Sequence, residues 1–340
     1  MPPLPHAVFW RPALRVLTLH SLPRTVIPET ILTTIPEMAA GLIKRGWVVA
    51  FPTETVYGLG ADVFNEAAVE RIFKAKRRPP DNPLIAHIGS IEQVGSLAAE
   101  VKPFAQDLID RFFPGPLTLV LQKTDRVPLV ATAGLDTIGV RMPRHPLARR
   151  FLMACGTPVV APSANLSGRP SPTTWRAVFE DLNGRIDCIL QGEATEIGLE
   201  STVVDCTGDR PVILRLGSIG LDDIRSVIPE AVVTDDQVHS APKSPGLKHK
   251  HYSPGAAVRI VADVSAVKDR EGAAYIGLTR NGTDFDKHFI ARDAAAYAHH
   301  LFEFFRECDR EGIRTIYCEA VPEAGIGAAL MDRIRRAAQG

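Results

Sequence analysis

The sequence predicts an α/β protein, with a twisted mixed sheet flanked by helices and a smaller α/β unit after it. Three observations carry that prediction. Short apolar runs of strand length alternate with segments of helical periodicity along most of the chain, which excludes an all-α bundle and an all-β sandwich. Several of those runs follow one another without an intervening helix, so the sheet is mixed and not strictly doubly wound. Residues 236–255, rich in Pro, Gly, Ser, Lys and His and without either periodicity, separate the pattern into two stretches.

Spacing then assigns the elements in order. Apolar positions over 35–44 suit a helix ending at Gly46, and 47–51 reads as a buried strand. A loop over 53–60 leads to a helix over 66–76, stopped by Pro79 and Pro80, and 84–88 is a short strand. The alternation continues with a helix at 103–113, strands at 117–122 and 138–141, a helix at 146–154, a strand at 157–161 and a helix at 173–181. Strands near 187–190, 202–205 and 212–215 and a short helix at 221–227 complete a unit spanning 29–235. Beyond the 236–255 linker, a domain over 256–340 has strands at 257–261, 274–278 and 315–318 and helices at 293–310 and 325–338. Residues 1–28 hold Arg11, Arg15, His20 and Arg24 with no acid before Glu29. Prolines spoil an amphipathic targeting helix there, so the segment reads as a disordered extension.

Charge narrows the function. The 340 residues carry 39 Lys and Arg against 39 Asp and Glu, so no basic excess exists to hold a long nucleic acid by counterion release. Aromatics at 6% leave few residues for base-stacking platforms. Five scattered cysteines without CxxC spacing read as buried hydrophobes in a reducing compartment, consistent with a cytoplasmic protein. No apolar run is long enough to cross a membrane.

Four clusters could carry chemistry. Lys74, Lys76, Arg77 and Arg78 end a helix and run into Pro79-Pro-Asp-Asn-Pro83. The macrodipole alone would favour such a cap, but Lys76 and Arg78 aimed by a rigid proline loop would also suit a polyphosphate. Ser163, Asn165, Ser167, Ser171, Thr173 and Thr174 crowd the loop between a strand and a helix; capping needs one hydroxyl, and the rest suit an anion. Arg141 ends a strand, where a buried guanidinium needs an anionic partner, either a bound carboxylate or a structural aspartate. Ser201 and Thr202 enter a strand, with Arg215 following on the next. No P-loop, dinucleotide fingerprint or nucleophile elbow is present, and the His249/His251 pair lacks the companions of a zinc site.

Taken together, Phe51-Pro-Thr-Glu-Thr-Val-Tyr-Gly-Leu-Gly60, Lys76-x-Arg78 with Pro79 and Asn82, Ser163-x-Asn165 with Ser167-Gly168, and Glu200-Ser-Thr202 resemble the YrdC/Sua5 family of threonylcarbamoyladenylate synthases. The 244–254 loop and the stretch from Gly325 to Arg336 resemble the long Sua5-type branch. The resemblance covers residue 29 to the C-terminus and implies a YrdC-like sheet with a small Rossmann-like C-terminal domain. It implies formation of threonylcarbamoyl-adenylate and pyrophosphate from L-threonine, bicarbonate or CO2, and ATP with Mg2+. A tRNA threonylcarbamoyl transferase complex would then consume the product.

By the same resemblance, threonine would meet Thr55, His87, Arg141, the backbone at Ala161, and Ser201. The nucleotide would meet Lys76, Arg78, Asn82, Thr137, Ser163, Asn165, Ser171, Arg215 and Tyr252, with Lys76 and Arg78 catalytic. In the loop the family usually has Met, an aromatic and Arg where this chain has Leu247, His249 and Lys250, while Tyr252 is retained. The loop is expected to close over the nucleotide as a lid. Two other readings are a carbamoyl-adenylate-forming relative and an RNA-binding module using the Lys74–Arg78 surface.

Overall fold

Strands and helices follow in the order β1 (Ile31–Thr33), α1 (Pro36–Ile43), β2 (Val49–Phe51), β3 (Gly58–Asp62), α2 (Glu66–Lys76), β4 (Ile85–His87), α3 (Val94–Leu97) and α4 (Pro103–Phe112). Next come β5 (Leu117–Gln122), α5 (Leu129–Thr132), β6 (Thr137–Arg141), α6 (Pro146–Cys155), β7 (Val159–Val160), α7 (Trp175–Leu182), β8 (Cys188–Leu190), β9 (Thr202–Asp205), β10 (Val212–Arg215), α8 (Leu221–Arg225) and β11 (Val232–Val233). The C-terminal unit contains β12 (Ala257–Val261), β13 (Ala273–Gly277), β14 (Lys287–Ile290), α9 (Ala294–Arg310), β15 (Thr315–Glu319) and α10 (Ile326–Ala338). This computed structural model describes residues 29–234, 252–280 and 284–339. The expected extension over 1–28 and most of the expected lid, including Leu247, His249 and Lys250, lie outside them.

The first eleven strands form one sheet in the order β1-β8-β2-β3-β7-β4-β6-β5-β9-β10-β11. It is mixed: β4 runs parallel to β6 and β5 to β9, whereas β3 pairs antiparallel with β2 and β7, and β5 with β6. The second sheet, β12-β15-β13-β14, is wholly parallel. The larger core gathers β-strand residues such as Leu59, Ala86, Leu119 and Val140 with Val69, Ile72 and Phe73 of α2. A second cluster packs α1 and α6 with Phe51, Val159 and Cys188. All five cysteines are free and buried.

Three departures from the sequence expectation have physical causes. The last three residues of the 53–60 segment open strand β3, because Gly58 and Gly60 permit an approach that side chains would block. A Cβ on Gly60 would lie 2.6 Å from Val159 Cγ1 and 2.9 Å from Phe51 Cε1. Strands β1, β11 and β14 carry no period of their own, being two to four residues long; β1 pairs with a distant partner, Ile31 with Cys188, and β11 and β14 with the strands before them. Tyr252, expected to be linker, belongs to the C-terminal core: it stacks on Phe302 with ring centroids 5.3 Å apart. Val56 and Leu199 of the larger unit enter that same core.

Candidate functional site

The carboxyl ends of β4 and β6, the 52–57 turn, the 161–171 loop and Tyr252 surround a cleft of about 740 Å³ including its mouth. It is lined by all five residues implied for threonine, Thr55, His87, Arg141, Ala161 and Ser201. Of those implied for the nucleotide, Lys76, Arg78, Ser163, Asn165, Ser171, Arg215 and Tyr252 also line it. Asn82 and Thr137 do not. Asn82 is buried behind Arg78, its carbonyl accepting from Arg78 Nη2 at 3.3 Å. Thr137 opens β6 opposite Gln122, four residues before Arg141, which at about 3.3 Å per strand residue puts it roughly 13 Å away.

Arg141 ends β6 almost fully buried. Its Nη1 donates to Thr55 Oγ1 at 2.8 Å, Nη2 to Glu54 Oε1 at 2.7 Å, and Nε to Gly115 O at 3.4 Å. The anionic partner that a buried guanidinium requires is therefore Glu54, within the 51–60 motif. This corrects the alternative of a structural aspartate, since the acid is a glutamate; a bound carboxylate would be a further partner. Burial would raise the Glu54 carboxyl, but the Arg141 charge and hydrogen bond prevail and hold it below its ordinary value. Two Arg141 N–H groups remain for a ligand carboxylate.

His87 closes β4 beside Arg141, with Nδ1 3.1 Å from Ile85 O and its ring edge-to-face on Phe51. Burial, then the Arg141 charge, lowers it to about 3, so the imidazole stays neutral. Such a weak base cannot take a proton from an α-ammonium. The pH profile of kcat/KM for threonine should therefore show no His87 inflection between roughly pH 5 and 8. A break near the ordinary histidine value that vanishes in His87→Gln would overturn this.

The cationic run at the end of α2 divides by direction. Arg77 adopts φ 53, a left-handed cap that ends the helix and leaves Lys74 and Arg77 exposed while Lys76 and Arg78 face the cleft. Lys76 Nζ donates to Ser163 O at 2.5 Å and Asn165 O at 2.6 Å, which leaves one N–H when the group is an ammonium. Burial, then the neighbouring Arg78 charge, drives its pKa well below the ordinary value. Burial lowers Arg78 to about 10, so it remains a cation near neutrality, and its Nε is buried without a partner. Arg215 donates from Nε to Ser201 O at 3.1 Å and from Nη2 to Ser201 Oγ at 3.2 Å.

The serine loop is held from within. Asn165 Oδ1 accepts from Ser163 Oγ at 2.6 Å, while Nδ2 donates to Leu166 O and Arg169 O at 2.8 and 2.9 Å. Both amide hydrogens are thereby committed, so Asn165 shapes the loop and offers a ligand only acceptors or backbone.

Sequence reasoning missed the acids that organise these groups and their partners in the C-terminal unit. Asp181 accepts from Leu166 N at 3.1 Å and from Arg306 Nη2 of α9 at 2.9 Å. Glu200 accepts from Ser171 Oγ at 2.5 Å and from Arg333 Nε of α10 at 2.8 Å. Glu54 and Glu200 stand inside the quoted motifs, where an acid between apolar residues and hydroxyls was the available signal. Among the described residues no group of three or more His, Cys, Asp or Glu side chains could hold a metal.

Comparison with known proteins agrees with this geometry. The Sua5–YciO–YrdC family model, which carries the description telomere recombination, matches residues 41–217. A model described as threonylcarbamoyl-AMP synthase, C-terminal domain, matches 219–339. Threonylcarbamoyl-AMP synthase of Pyrococcus abyssi is 46% identical over 88% of this chain and 93% of its own. The protein of that name from Bacillus subtilis is 40% identical over 92% and 96%. The crystal structure of P. abyssi Sua5 complexed with L-threonine superposes with TM-score 0.85 at 43% identity, covering 91% of this chain and 98% of that one. With both domain models matched in order and relatives aligned nearly end to end, this chain belongs to the Sua5/YrdC family, in its long, two-domain form.

Proposed function

We propose that this protein joins L-threonine, CO2 or bicarbonate, and ATP into threonylcarbamoyl-AMP with release of pyrophosphate. The observation that carries the reading is one cleft in which Arg141, with two N–H groups to spare, adjoins the basic side chains Lys76, Arg78 and Arg215. A carboxylate and a polyphosphate have complementary places there. Relatives of 40–46% identity bear the corresponding name.

The chemistry asks the protein for alignment and charge neutralisation more than for a nucleophile. The neutral threonine amine forms an N–C bond to CO2 and loses its proton. A carbamate oxygen then bonds to the α-phosphorus as the bond to the bridging oxygen breaks and pyrophosphate leaves. Arg141 fixes the amino acid by its carboxylate, and the neutral His87 beside it adds no charge to compete. Lys76 and Arg78 counter negative charge on the phosphates, and enclosure limits hydrolysis of the short-lived carbamate. Mg2+, arriving with the triphosphate, supplies further charge neutralisation.

The product would pass to a transferase complex that modifies tRNA. Free, buried thiols suit the reducing cytoplasm for that role. No helix among the described residues is long and apolar enough to cross a membrane.

The test is pyrophosphate release with threonine and bicarbonate omitted in turn. Release should require both, and release unaffected by either omission would sink the reading. Salt-dependent RNA affinity without such release would favour the binding-module alternative. Discrimination against serine rests on one methyl group, worth about 1–3 kcal/mol in a fitted pocket. Serine should therefore turn over with kcat/KM lower by roughly 10–200-fold, measured in the same assay; no detectable serine turnover would contradict it.

A further inference from the structure

Ser171 lines the cleft, yet its hydroxyl hydrogen points elsewhere. It is committed to Glu200 Oε1 at 2.5 Å, while Glu200 Oε2 accepts from Arg333 Nε at 2.8 Å. An ionised carboxylate only accepts, so the Ser171 oxygen can present only lone pairs to a ligand. Phosphate oxygens are acceptors too and would meet repulsion there. A donor, by contrast, would find its partner.

We propose that Arg333 is a positioning residue: by keeping Glu200 an acceptor, it makes Ser171 the acceptor that reads a hydrogen-bond donor of the nucleotide, a base amine or a ribose hydroxyl. The proposal rests on the adenylate-forming reading of the same cleft and names the part of the nucleotide that Ser171 meets.

The placement of Arg333 supports this. Its side chain is fully buried on α10 of the C-terminal unit and reaches across the interface. Besides Glu200, it donates from Nη2 to Leu216 O at 2.9 Å, next to Arg215, and its guanidinium carbon lies 5.4 Å from the centre of the Tyr252 ring. Stapling the two units together does not explain its aim at Glu200, the carboxylate that holds the Ser171 hydroxyl. The Arg306–Asp181 pair already provides a buried link, with Arg306 also donating to Pro170 O at 2.5 Å.

The charged and titratable groups around Glu200 are Arg333 from α10, Arg215 from β10 and the Tyr252 phenol, with Asp332 behind Arg333. Burial would raise the Glu200 carboxyl, but Arg333 and Arg215 together hold it below its ordinary value. Without Arg333, burial regains ground. Glu200 then protonates as pH falls, becomes a donor, and frees Ser171 from its fixed polarity.

The experiment measures KM and kcat on the full chain with ATP, 2′-deoxyATP and purine riboside triphosphate, which lacks the base amine. It compares the parent with Ser171→Ala, Glu200→Gln, Arg333→Lys and Arg333→Met over roughly pH 5.5–8.5, chosen to span the upward drift of a buried carboxyl. The parent KM for ATP should not rise toward the acid end. Arg333→Met should raise it about tenfold at the acid end, the worth of one hydrogen bond, with recovery as pH rises. Arg333→Lys should move it back toward the parent, and Glu200→Gln should raise it about tenfold at every pH. In the parent, the analogue lacking the donor should be about tenfold weaker than ATP, and Ser171→Ala should erase that difference. The deoxy analogue reports a ribose hydroxyl and the purine riboside a base amine.

A pH-independent loss in Arg333→Met would leave Arg333 a structural role alone and overturn the proposal. Undiminished discrimination against both analogues in Ser171→Ala would do the same. If Arg333→Met does not fold, Glu200→Gln and Ser171→Ala decide. A parent that releases no threonine-dependent pyrophosphate fails the proposed function instead, so the two failures are distinguishable.

Discussion

Replacing Arg141 by methionine should abolish threonine-dependent pyrophosphate release at accessible threonine concentrations and destabilise the fold by roughly 3–5 kcal/mol. Two separate losses are combined there. The ligand carboxylate loses its bidentate partner. Glu54, 1% exposed and paired at 2.7 Å, loses the cation that keeps a buried carboxylate tolerable. The double variant Arg141→Met/Glu54→Gln separates them, because removing both charges relieves the buried anion without restoring a carboxylate site. Denaturant midpoints should recover most of the lost stability in the double variant, whereas isothermal titration should still find no threonine binding. Near-parent threonine affinity in either variant would exclude Arg141 from the carboxylate role.

Lys76→Ala and Arg78→Ala should each reduce kcat for pyrophosphate release by roughly 10²–10³, the range for losing one preorganised charge-stabilising donor. Activity within about twofold of the parent would remove either residue from the phosphate role. Their stability effects should differ. Lys76 holds two loop carbonyls, so its loss also loosens the backbone at Ser163 and Asn165. Arg78 holds only Asn82 O among described partners and has a free Nε, so its truncation should leave thermal stability closer to the parent. The lowered Lys76 pKa adds a signature. In the free protein burial favours the neutral amine, and a bound polyphosphate favours the ammonium, so ATP binding should take up protons. Titration calorimetry in two buffers of different ionisation heat should detect that uptake in the parent and its loss in Lys76→Ala.

Much of the secondary structure was legible because it depends on local pattern. The helix over 66–76 and the strands at 117–122, 202–205, 212–215 and 257–261 occur at the spans that spacing assigns. Their apolar periods and their Gly or Pro boundaries act within a few residues. What local pattern could not supply was pairing. β3 looked like a loop because its glycines, which lower strand propensity, serve a close approach to Phe51 and Val159. β1 exists through a partner far away in the chain, and the short β11 and β14 through pairing with the strands before them.

The candidate site shows the same division. The sequence by itself determined the residue types, their order and the family to which they belong, because motifs such as 51–60 and 163–168 are contiguous and chemically specific. It also placed Arg141 at a strand end that demands an anion. Only the tertiary structure decided that Glu54 meets that demand, that Lys76 and Arg78 turn inward while Lys74 and Arg77 stay in solvent, and that Thr137 stands apart from the cleft. Only it brought Arg333 of the last helix to Glu200 and fixed which way the Ser171 hydroxyl points. The physical reason is that charge compensation and hydrogen-bond polarity are settled by which groups share a buried volume, and residues 133 positions apart share one only after the chain has folded.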